Sequence, residues 1–479
     1  VHSGLVPSPD RWALRAWTAP SVRFVRRLQG HSGQPSSVPL GVRCQRGAHT
    51  LAGLDDGAEG RRGWSWAFAG VIHDEPPPRR GNRGAGRLSE CRGRGRYPRV
   101  VPIDAKSGYH SPQILAERLP FDEINFDDPI FRSIEAEYPL HRAWVARASL
   151  AASARAAFVV RNRMGAYSGI AVVKFGESAS GDVSSTGMKL STFKVGDDWS
   201  ARGIGDILLN AVLIEAVENG VEEVFVTVSG SHQDLIRYLE LHGFRRSPRL
   251  ADQDYIYVLN LDDPTSVAGR VNRLAYDVLA GEYLQRAENP AADEAPVHFL
   301  ASALWKHVRA QTPRVLELGP GPGSAISWFA SQGAATVGVE ISAEMASICQ
   351  VRSPGSLIII GDINDVSFTA ETFDAIYMGA FIHLFTPESA KALLVRAQTW
   401  LRPGGVIFVN TTVGPNHTVG WERKSDYGTA TVRLRTQWQE TEFRRTVESS
   451  GFEVIDRLQT DEASRGKFWV AFIAQKDSH

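Results

Sequence analysis

The sequence predicts an α/β protein in which a seven-stranded, doubly wound sheet follows a smaller mixed α+β domain and a disordered N-terminal segment. Strand-like and helix-like segments alternate regularly over residues 266–479, which is typical of a mostly parallel sheet. Short strands with a few helices precede them over residues 120–262. Residues 1–105 show neither the helical nor the strand periodicity of apolar residues. A length of 479 residues suits two or three domains.

The N-terminal segment, residues 1–105, differs in composition from the remainder. Its first hundred residues contain 17 Arg, no Lys and 7 acidic residues, a net charge of +10, together with 15 Gly and 9 Pro. The remaining residues carry 36 basic and 46 acidic side chains. The segment is either a basic arm that grips nucleic acid or a stretch that is not translated. The second interpretation is favoured because the chain opens with Val1 and its first Met is Met164.

Composition excludes several classes of protein. Three scattered cysteines, Cys44, Cys91 and Cys349, are too few for a disulfide framework or a zinc site. No apolar run approaches the roughly 18 residues of a membrane span, and a secretory signal is not evident. We therefore expect a cytoplasmic, reduced protein without a membrane partner. Because no basic patch suited to nucleic acid follows residue 262, the expected partner is a small-molecule acceptor.

The middle domain opens at Asp127-Asp128-Pro129, where a helical stretch reaching Trp144 is predicted. The pattern then predicts strands at 156–160, 168–175, 189–195, 223–229 and 255–261, and helices at 203–219 and 234–242. The last of these helices ends at Gly243, a residue type that favours helix termination.

A glycine-containing loop precedes the long helix of the middle domain. Its residues Arg202, Gly203, Ile204, Gly205 and Asp206 could present backbone N–H groups to an anion at the helix N-terminus. Together with the later segment from His232 to Gly243-Phe244, this loop resembles the Gcn5-related N-acetyltransferase family over about residues 120–262. The resemblance implies acetyl-coenzyme A as a cofactor. Its pyrophosphate would lie over residues 202–206, and Val195 and His232 would be further contacts.

Two residues depart from that family's pattern. Ser200 stands where the family has Gln or Arg, and Leu239 stands where a Tyr often protonates the departing thiolate. Tyr238 is adjacent, but one step along a helix rotates a side chain by about 100°. Two interpretations stay open: an acetyltransferase that uses another acid or none, or a non-catalytic module that binds a substrate or a partner.

Residues 262–266 read as a linker, and the C-terminal domain follows. Strands are predicted at 314–319, 336–340, 357–362, 373–378, 406–411, 452–455 and 469–475. The first strand runs into Gly319, Gly321 and Gly323, where the backbone must turn tightly and approach a ligand closely.

Acidic residues end the next two strands. Glu340 could accept both hydroxyls of a ribose, and Asp362 could accept an adenine amino hydrogen. Ligands bind at the carboxyl ends of such strands. A NAD-dependent dehydrogenase would prefer Gly-x-Gly-x-x-Gly, whereas this turn is Gly-x-Gly-x-Gly.

With Phe373-Asp374-Ala375-Ile376 before His383, and Leu401-Arg402-Pro403-Gly404-Gly405 before the next strand, the pattern resembles class I S-adenosylmethionine-dependent methyltransferases over about residues 266–479. The resemblance implies S-adenosylmethionine as the cofactor. The glycines would cradle its methionine portion near Glu317, Glu340 with Ile341 would hold the ribose, and Asp362 with Ile363 would flank the adenine. Tyr276 and Tyr283 are either an aromatic lid over the cofactor or a helical core stripe.

Methyl transfer is an in-line displacement that needs alignment of the acceptor and exclusion of water. His383 is placed where a general base could stand, or it is a packing residue. Acceptor contacts are predicted from an insert at about 411–438, where Trp421, Tyr427, Arg433 and Trp438 either line the site or pack. The expected function is methylation of a small molecule with a fused acetyl transfer; the alternative is a methyltransferase whose middle domain is non-catalytic.

Overall fold

The computed structural model describes residues 42–44, 115–181, 184–251, 254–287, 294–426, 428–462 and 466–476. Within the N-terminal segment, β1 (Val42–Cys44) pairs antiparallel with β12 (Val366–Phe368). The other residues for which disorder is predicted lie outside the described ranges, as does Tyr427. None of the helices in the described ranges is long and apolar enough to cross a membrane.

Residues 115–260, where they are described, form seven strands and four helices. The strands are β2 (Glu117–Pro120), β3 (Arg155–Arg161), β4 (Tyr167–Phe175), β5 (Gly187–Val195), β6 (Glu223–Val228), β7 (Arg245–Ala251) and β8 (Asp254–Asn260). The helices are α1 (Ile130–Glu137), α2 (His141–Ser149), α3 (Ile204–Glu218) and α4 (Gln233–Leu241). The strand order is β2-β3-β4-β5-β6-β8-β7.

The middle sheet divides at its centre. Strands β5 and β6 are parallel neighbours, but they pair only over residues 187–189 and 223–225, whereas β5 continues its pairing with β4 as far as Val195. The second half of β5 therefore diverges from β6, and α3 begins beside the gap. The helical stretch predicted from residue 127 to Trp144 is wrong in one respect: it is two helices, because Pro139 cannot continue α1.

The C-terminal domain contains a second seven-stranded sheet in the order β11-β10-β9-β13-β14-β18-β17. Its strands are β9 (Arg314–Leu318), β10 (Ala335–Glu340), β11 (Leu357–Ile360), β13 (Phe373–Met378), β14 (Leu401–Val413), β17 (Phe452–Glu462) and β18 (Lys467–Lys476). The helices are α5 (Pro264–Ala287), α6 (Glu294–Trp305), α7 (Ser324–Ser331), α8 (Ala343–Arg352), α9 (Pro387–Trp400) and α10 (Glu440–Glu448). The first five strands are parallel and β18 is antiparallel to both of its neighbours, so the predicted doubly wound sheet is confirmed.

The predicted insert forms a hairpin, β15 (Thr418–Lys424) and β16 (Thr431–Gln437), that lies outside this sheet. It packs against the middle domain. The Trp421 indole N–H donates to the Leu261 carbonyl at 2.7 Å, and the Asn210 amide on α3 donates to the Ala430 carbonyl at 2.9 Å. Val432 is fully buried in the hydrophobic core that α3 and the middle sheet share. The hairpin therefore closes the core of the neighbouring domain.

Helix α5 joins the two domains directly. The linker predicted over residues 262–266 is wrong, because the helix already begins at Pro264, a residue type favoured in the first turn. Val267, Val271 and Leu274 lie on one face of α5 and are buried in the core of the middle domain. Further along the helix, Ala280 packs against α8 of the C-terminal domain. Each domain therefore buries part of the same helix.

Candidate functional site

A cavity of about 510 Å³ opens at the carboxyl ends of β9, β10, β11 and β13, with α5 along one side. Pockets for small molecules are commonly about 300–1,000 Å³. Nine residues predicted from the sequence line it: Tyr276, Tyr283, Glu317, Gly319, Gly321, Glu340, Ile341, Asp362 and Ile363. The structure therefore brings the acidic strand ends, the glycine turn and the two tyrosines to one space.

The glycine turn forms the floor of this cavity. Gly319, Gly321 and Gly323 all have positive φ angles, of 69°, 54° and 90°. A Cβ on Gly319 would lie 2.5 Å from the Phe381 ring, so only glycine fits there. Gly323 is not among the lining residues. A Cβ there would lie 3.0 Å from Cys349 Sγ, so the structure assigns Gly323 to packing of α7 against α8, and its predicted contact with the cofactor is not supported.

Glu340 is buried at the end of β10, and the backbone holds its carboxylate. Oε2 accepts the Gly321 N–H at 2.9 Å, and Oε1 accepts the Ser342 N–H at 3.0 Å. Burial raises the pKa of this carboxyl, and the two backbone N–H groups oppose that rise. The residue thus fixes the glycine turn while keeping acceptor capacity on each oxygen.

Glu317 lies beneath the turn at the end of β9 and is buried. Burial, and next the charge of Glu340, raise the pKa of its carboxyl to about 8. Its Oε2 has no hydrogen-bond partner among the described residues. A buried carboxyl that lines a cavity and retains a vacant acceptor suits an ammonium group.

Asp362 and Ile363 follow β11, the third strand of the site, which ends at Ile360. The Asp362 Oδ1 accepts the Asn364 N–H at 2.9 Å. Its Oδ2 lies against α5, where a Cβ on Gly269 would approach within 2.5 Å. Sequence reasoning missed Gly269, because its need for a small residue arises only from the packing of α5 on this strand.

Tyr276 and Tyr283 lie seven residues apart on the same face of α5, and their ring centroids are 6.3 Å from each other. Both line the cavity, and both pack with Ala280, Met345 and Ile348. The two interpretations offered by the sequence therefore describe the same pair of side chains: each tyrosine is a cavity wall on one side and core on the other.

His383 is only 4% exposed and is not among the residues that line the cavity, although its neighbour Leu384 is. Its ring packs against Trp469 at 5.8 Å. Burial, and next the charges of nearby arginines and lysines, hold its pKa well below the usual range, so the imidazole is neutral. The position of His383 supports packing, and the predicted general-base role is not supported by it.

Asn410 is a lining residue that the sequence reasoning missed. It stands near the end of strand β14, and its Oδ1 accepts the Ala380 N–H at 2.5 Å. Ala380 has a φ of 51°, a conformation that costs a non-glycine residue roughly 1–2 kcal/mol. The same rule that selected Glu340 and Asp362, polar side chains at the carboxyl ends of strands, could have found Asn410.

The loop predicted to hold pyrophosphate begins α3, and Gly203 adopts a φ of 75° there. Ile204 and Val195 are buried core residues, and Arg202 packs over the Trp199 ring. The imidazole of His232 pairs with the Glu137 carboxylate of α1 and not with a residue of this loop.

Tyr238 occupies the gap between β5 and α3. It stacks on Phe193 with centroids 5.6 Å apart, and its hydroxyl donates to Asp206 Oδ1 at 3.0 Å. A Cβ on Gly205 would lie 3.4 Å from that hydroxyl. One step along α4 separates the two side chains as the sequence analysis expects: Leu239 is buried in the core of the middle domain, whereas Tyr238 faces Asp206.

Asp206 faces the C-terminal domain. Its negative charge contributes to raising the pKa values of Asp277 on α5 and Glu344 on α8, after burial as the main cause. The pKa of Asp277 reaches about 6. Asp277 Oδ1 accepts the Ser342 hydroxyl at 2.6 Å, next to Glu340. Asp206, Asp277 and Glu344 thus bring negative charge to the side of the loop that faces α5 and α8, where Arg273 lies 3.7 Å from Asp277 and His242 lies 3.3 Å from Asp206.

The comparisons with known proteins concern the C-terminal domain. Residues 316–409 match the family model described as a methyltransferase domain. The C-terminal domain is a class I S-adenosylmethionine-dependent methyltransferase domain. An uncharacterized methyltransferase from Synechocystis sp. is 24% identical over 144 residues, which are 30% of this chain and 68% of that protein.

Two solved structures are also similar. One is the 1,6-didemethyltoxoflavin-N1-methyltransferase of Burkholderia thailandensis with bound 1,6-didemethyltoxoflavin and S-adenosylhomocysteine. It is 18% identical and has a TM-score of 0.34, and the match covers 43% of this chain and 90% of that chain. The other is a SAM-dependent methyltransferase of Methanosarcina mazei, 19% identical, with 37% and 98% covered and a TM-score of 0.33.

Proposed function

We propose that this methyltransferase domain transfers a methyl group from S-adenosylmethionine to a small-molecule acceptor bound in the 510 Å³ cavity. The observation that carries the proposal is the convergence of three buried or half-buried carboxyl groups, Glu317, Glu340 and Asp362, around a glycine turn. Their positions suit the ammonium, ribose and adenine groups of the cofactor in the order that the strands present them.

The chain's own residues would bind and orient the cofactor and would exclude water from the cavity. Glu317 holds the ammonium group, Glu340 the ribose hydroxyls, and Asp362 with Ile363 the adenine. S-adenosylmethionine, when bound, supplies an electrophilic methyl group on a sulfonium. Tyr276 and Tyr283 shield the cavity from one side.

No histidine is found among the described residues that line the cavity. Because the three carboxyl groups of the cavity are assigned above to the cofactor, we favour an acceptor whose attacking atom needs no general base, such as a neutral amine held in line. Asn410 stands at the acceptor side and can orient such a group through its amide. The direct test is release of S-adenosylhomocysteine from the full chain over a panel of small amines, phenols and carboxylic acids. No turnover together with no binding of S-adenosylhomocysteine would contradict the proposal.

Binding of S-adenosylhomocysteine at pH 7 is expected to release about one proton from Glu317. In the ligand-free chain its pKa of about 8 keeps the carboxyl protonated, and an ammonium partner lowers that pKa. Affinity should therefore rise up to about tenfold per pH unit from pH 6 to 8. Calorimetry in buffers of different ionisation enthalpy measures the proton.

The matched control is Glu317→Gln, which removes this titration and should abolish the part of the pH dependence between pH 7 and 8 that Glu317 causes. The stability of the ligand-free chain should change in the opposite sense. Because the folded pKa lies above the ordinary value of 4.5, Glu317 destabilises the fold progressively as pH rises from about 4.5 to about 8. Wild-type affinity that does not vary with pH would contradict the assignment of Glu317 to the ammonium group.

For the middle domain we propose an acetyltransferase-like architecture. The strand order, the divergence of β5 from β6 and the start of α3 at Gly203 support it. Acetyl transfer from acetyl-coenzyme A is the second candidate function. A non-catalytic role is favoured by two observations: Tyr238 bridges Phe193 of β5 and Asp206 of α3 beside the glycine loop, and Asp206 and Glu344 bring negative charge near that loop.

We therefore expect the full chain to bind S-adenosylhomocysteine and not to bind acetyl-coenzyme A in a calorimetric titration. Like charges near a pyrophosphate disfavour it, and removing one of them offers a control. Asp206→Asn keeps the size of the side chain and removes its negative charge. If charge prevents binding, the affinity for acetyl-coenzyme A should rise in this variant. Micromolar binding of acetyl-coenzyme A to the wild-type chain would instead establish a bifunctional transferase.

A further inference from the structure

Ser342 links Glu340 to the helix that follows it. The residue is fully buried and caps the N-terminus of α8, where its hydroxyl accepts the Met345 N–H at 3.1 Å. Its own N–H donates to Glu340 Oε1 at 3.0 Å. A hydroxyl has a single proton to donate, and this one goes to Asp277 Oδ1 at 2.6 Å. The bond to Asp277 therefore holds the side chain of Ser342 in place beside Glu340.

Asp277 follows Tyr276 on α5, but it is not among the described residues that line the cavity. Its side chain is 18% exposed. Burial raises the pKa of its carboxyl to about 6, and the Ser342 hydroxyl and next the Arg273 guanidinium oppose that rise. A buried carboxyl group is costly without such partners. Any effect of Asp277 on the cofactor must therefore pass through the residues that it holds.

Arg273 lies one turn before Asp277 on α5, and its guanidinium contacts both domains. Its Nε is 3.7 Å from Asp277 Oδ2, and its Nη2 donates to the Leu241 carbonyl at 3.1 Å. Leu241 is the last residue of α4 in the middle domain, where helix carbonyls carry partial negative charge. Burial lowers the pKa of Arg273, and the negative charges of Asp277 and next Asp206 oppose this. Groups from two domains therefore hold one guanidinium.

These contacts form one continuous path from the middle domain to the glycine turn. In order, its members are the Leu241 carbonyl, Arg273, Asp277, Ser342, Glu340 and the Gly321 N–H. The hydrogen bonds of the path measure 2.6–3.1 Å and its ion pair 3.7 Å. The side chains along it are largely buried, where polar contacts are stronger than in water. A displacement of Asp277 is therefore expected to move Glu340.

We propose that Asp277 and Arg273 are positioning residues for the cofactor. They hold Ser342, and through it Glu340, in the geometry that accepts the ribose hydroxyls. This inference rests on the proposed function and gives the middle domain a part in it, because α4 anchors Arg273. Binding groups lose much of their effect when they are misplaced by about 1 Å. Support behind Glu340 therefore contributes to affinity although it touches no cofactor atom.

The test titrates S-adenosylhomocysteine into the full chain by calorimetry, well below the thermal midpoint of every variant. Asp277→Leu, which has a similar shape and no acceptor, and Ser342→Ala should each lower the affinity about three- to tenfold, the scale of one hydrogen bond. The double variant should bind about as tightly as Ser342→Ala alone, because both changes remove the same contact. Asp277→Asn keeps an acceptor oxygen for the Ser342 hydroxyl and should recover most of the affinity.

Two more variants test the path itself. Arg273→Gln should lower the affinity in the wild-type chain and not in Asp277→Leu, because Arg273 acts through Asp277. The matched control is Glu344→Gln. Glu344 lies on α8, and its negative charge contributes to raising the pKa of Asp277, after burial as the main cause, but it is not a member of the path. Its replacement should leave the affinity unchanged.

Wild-type affinity in both Asp277→Leu and Ser342→Ala overturns the inference, as do losses that simply add in the double variant. An Asp277→Asn variant as weak as Asp277→Leu contradicts it, and so does an equal loss in Glu344→Gln, which would indicate a general effect of charge. If Asp277→Leu does not unfold cooperatively, Ser342→Ala and Arg273→Gln decide, and wild-type affinity in both overturns the inference. If the wild-type chain itself binds no S-adenosylhomocysteine, it is the proposed function that fails.

Discussion

Replacement of Glu340 by alanine is expected to weaken binding of S-adenosylhomocysteine by about ten- to hundredfold. Charge-assisted hydrogen bonds contribute roughly 1.5–3 kcal/mol, and this carboxylate is predicted to accept the ribose hydroxyls. It also holds the N–H groups of Gly321 and Ser342, at 2.9 and 3.0 Å, so its loss loosens the glycine turn. Calorimetric titration of the full chain measures the effect.

Two further variants separate these contributions. Glu344→Ala removes a carboxyl on α8, four residues away, that does not line the cavity, and should leave the affinity unchanged. Glu340→Gln keeps the size of the side chain and one acceptor oxygen, so its affinity should be intermediate. Wild-type affinity in Glu340→Ala would refute the assignment of this residue to the ribose.

Deletion of residues 1–262 is expected to leave the methyltransferase domain without a stable fold. The deletion removes the surface that buries Val267, Val271 and Leu274 of α5 and Val432 of the hairpin. Exposure of four such side chains costs roughly 6–12 kcal/mol at about 1.5–3 kcal/mol each. That cost is comparable with the whole stability of a typical domain, about 5–15 kcal/mol.

Denaturant unfolding followed by circular dichroism and by Trp fluorescence checks this expectation. The full chain should unfold with the hairpin and α3 coupled, whereas residues 263–479 alone should show no cooperative transition. Within the full chain, Leu274→Ala should cost about 2–5 kcal/mol, and Val351→Ala, at a position 64% exposed, should cost little. A fragment that unfolds cooperatively at the midpoint of the full chain would show that the middle domain is dispensable for the fold.

Much of the lining of the cavity could be predicted because its signals are local in the chain. A glycine turn directly after an apolar strand, and an acidic residue at the end of each following strand, depend only on neighbouring residues. The topology of a parallel sheet then brings Glu317, Glu340 and Asp362 to one edge without any knowledge of the packing. Asn410 is also a polar residue near the carboxyl end of a strand, but the sequence analysis did not select it.

Other features depended on contacts between residues far apart in the sequence. The faces presented by His383 and Tyr238, and the packing of Gly323 against Cys349, are decided by which neighbour fills the space beside them. The hairpin is a further example, because Trp421 bonds to Leu261, 160 residues away. No periodicity within the hairpin indicates that partner.

The sequence by itself determined the class of the C-terminal fold, the order of its strands along the chain and the residues around its cofactor cavity, since hydrophobic period and turn chemistry are short-range properties. Only the tertiary structure decided that α5 is shared by two domains and that the hairpin closes the core of the middle domain. The physical reason is that burial and net charge at a point sum over side chains from distant segments, and only the folded chain brings those segments together.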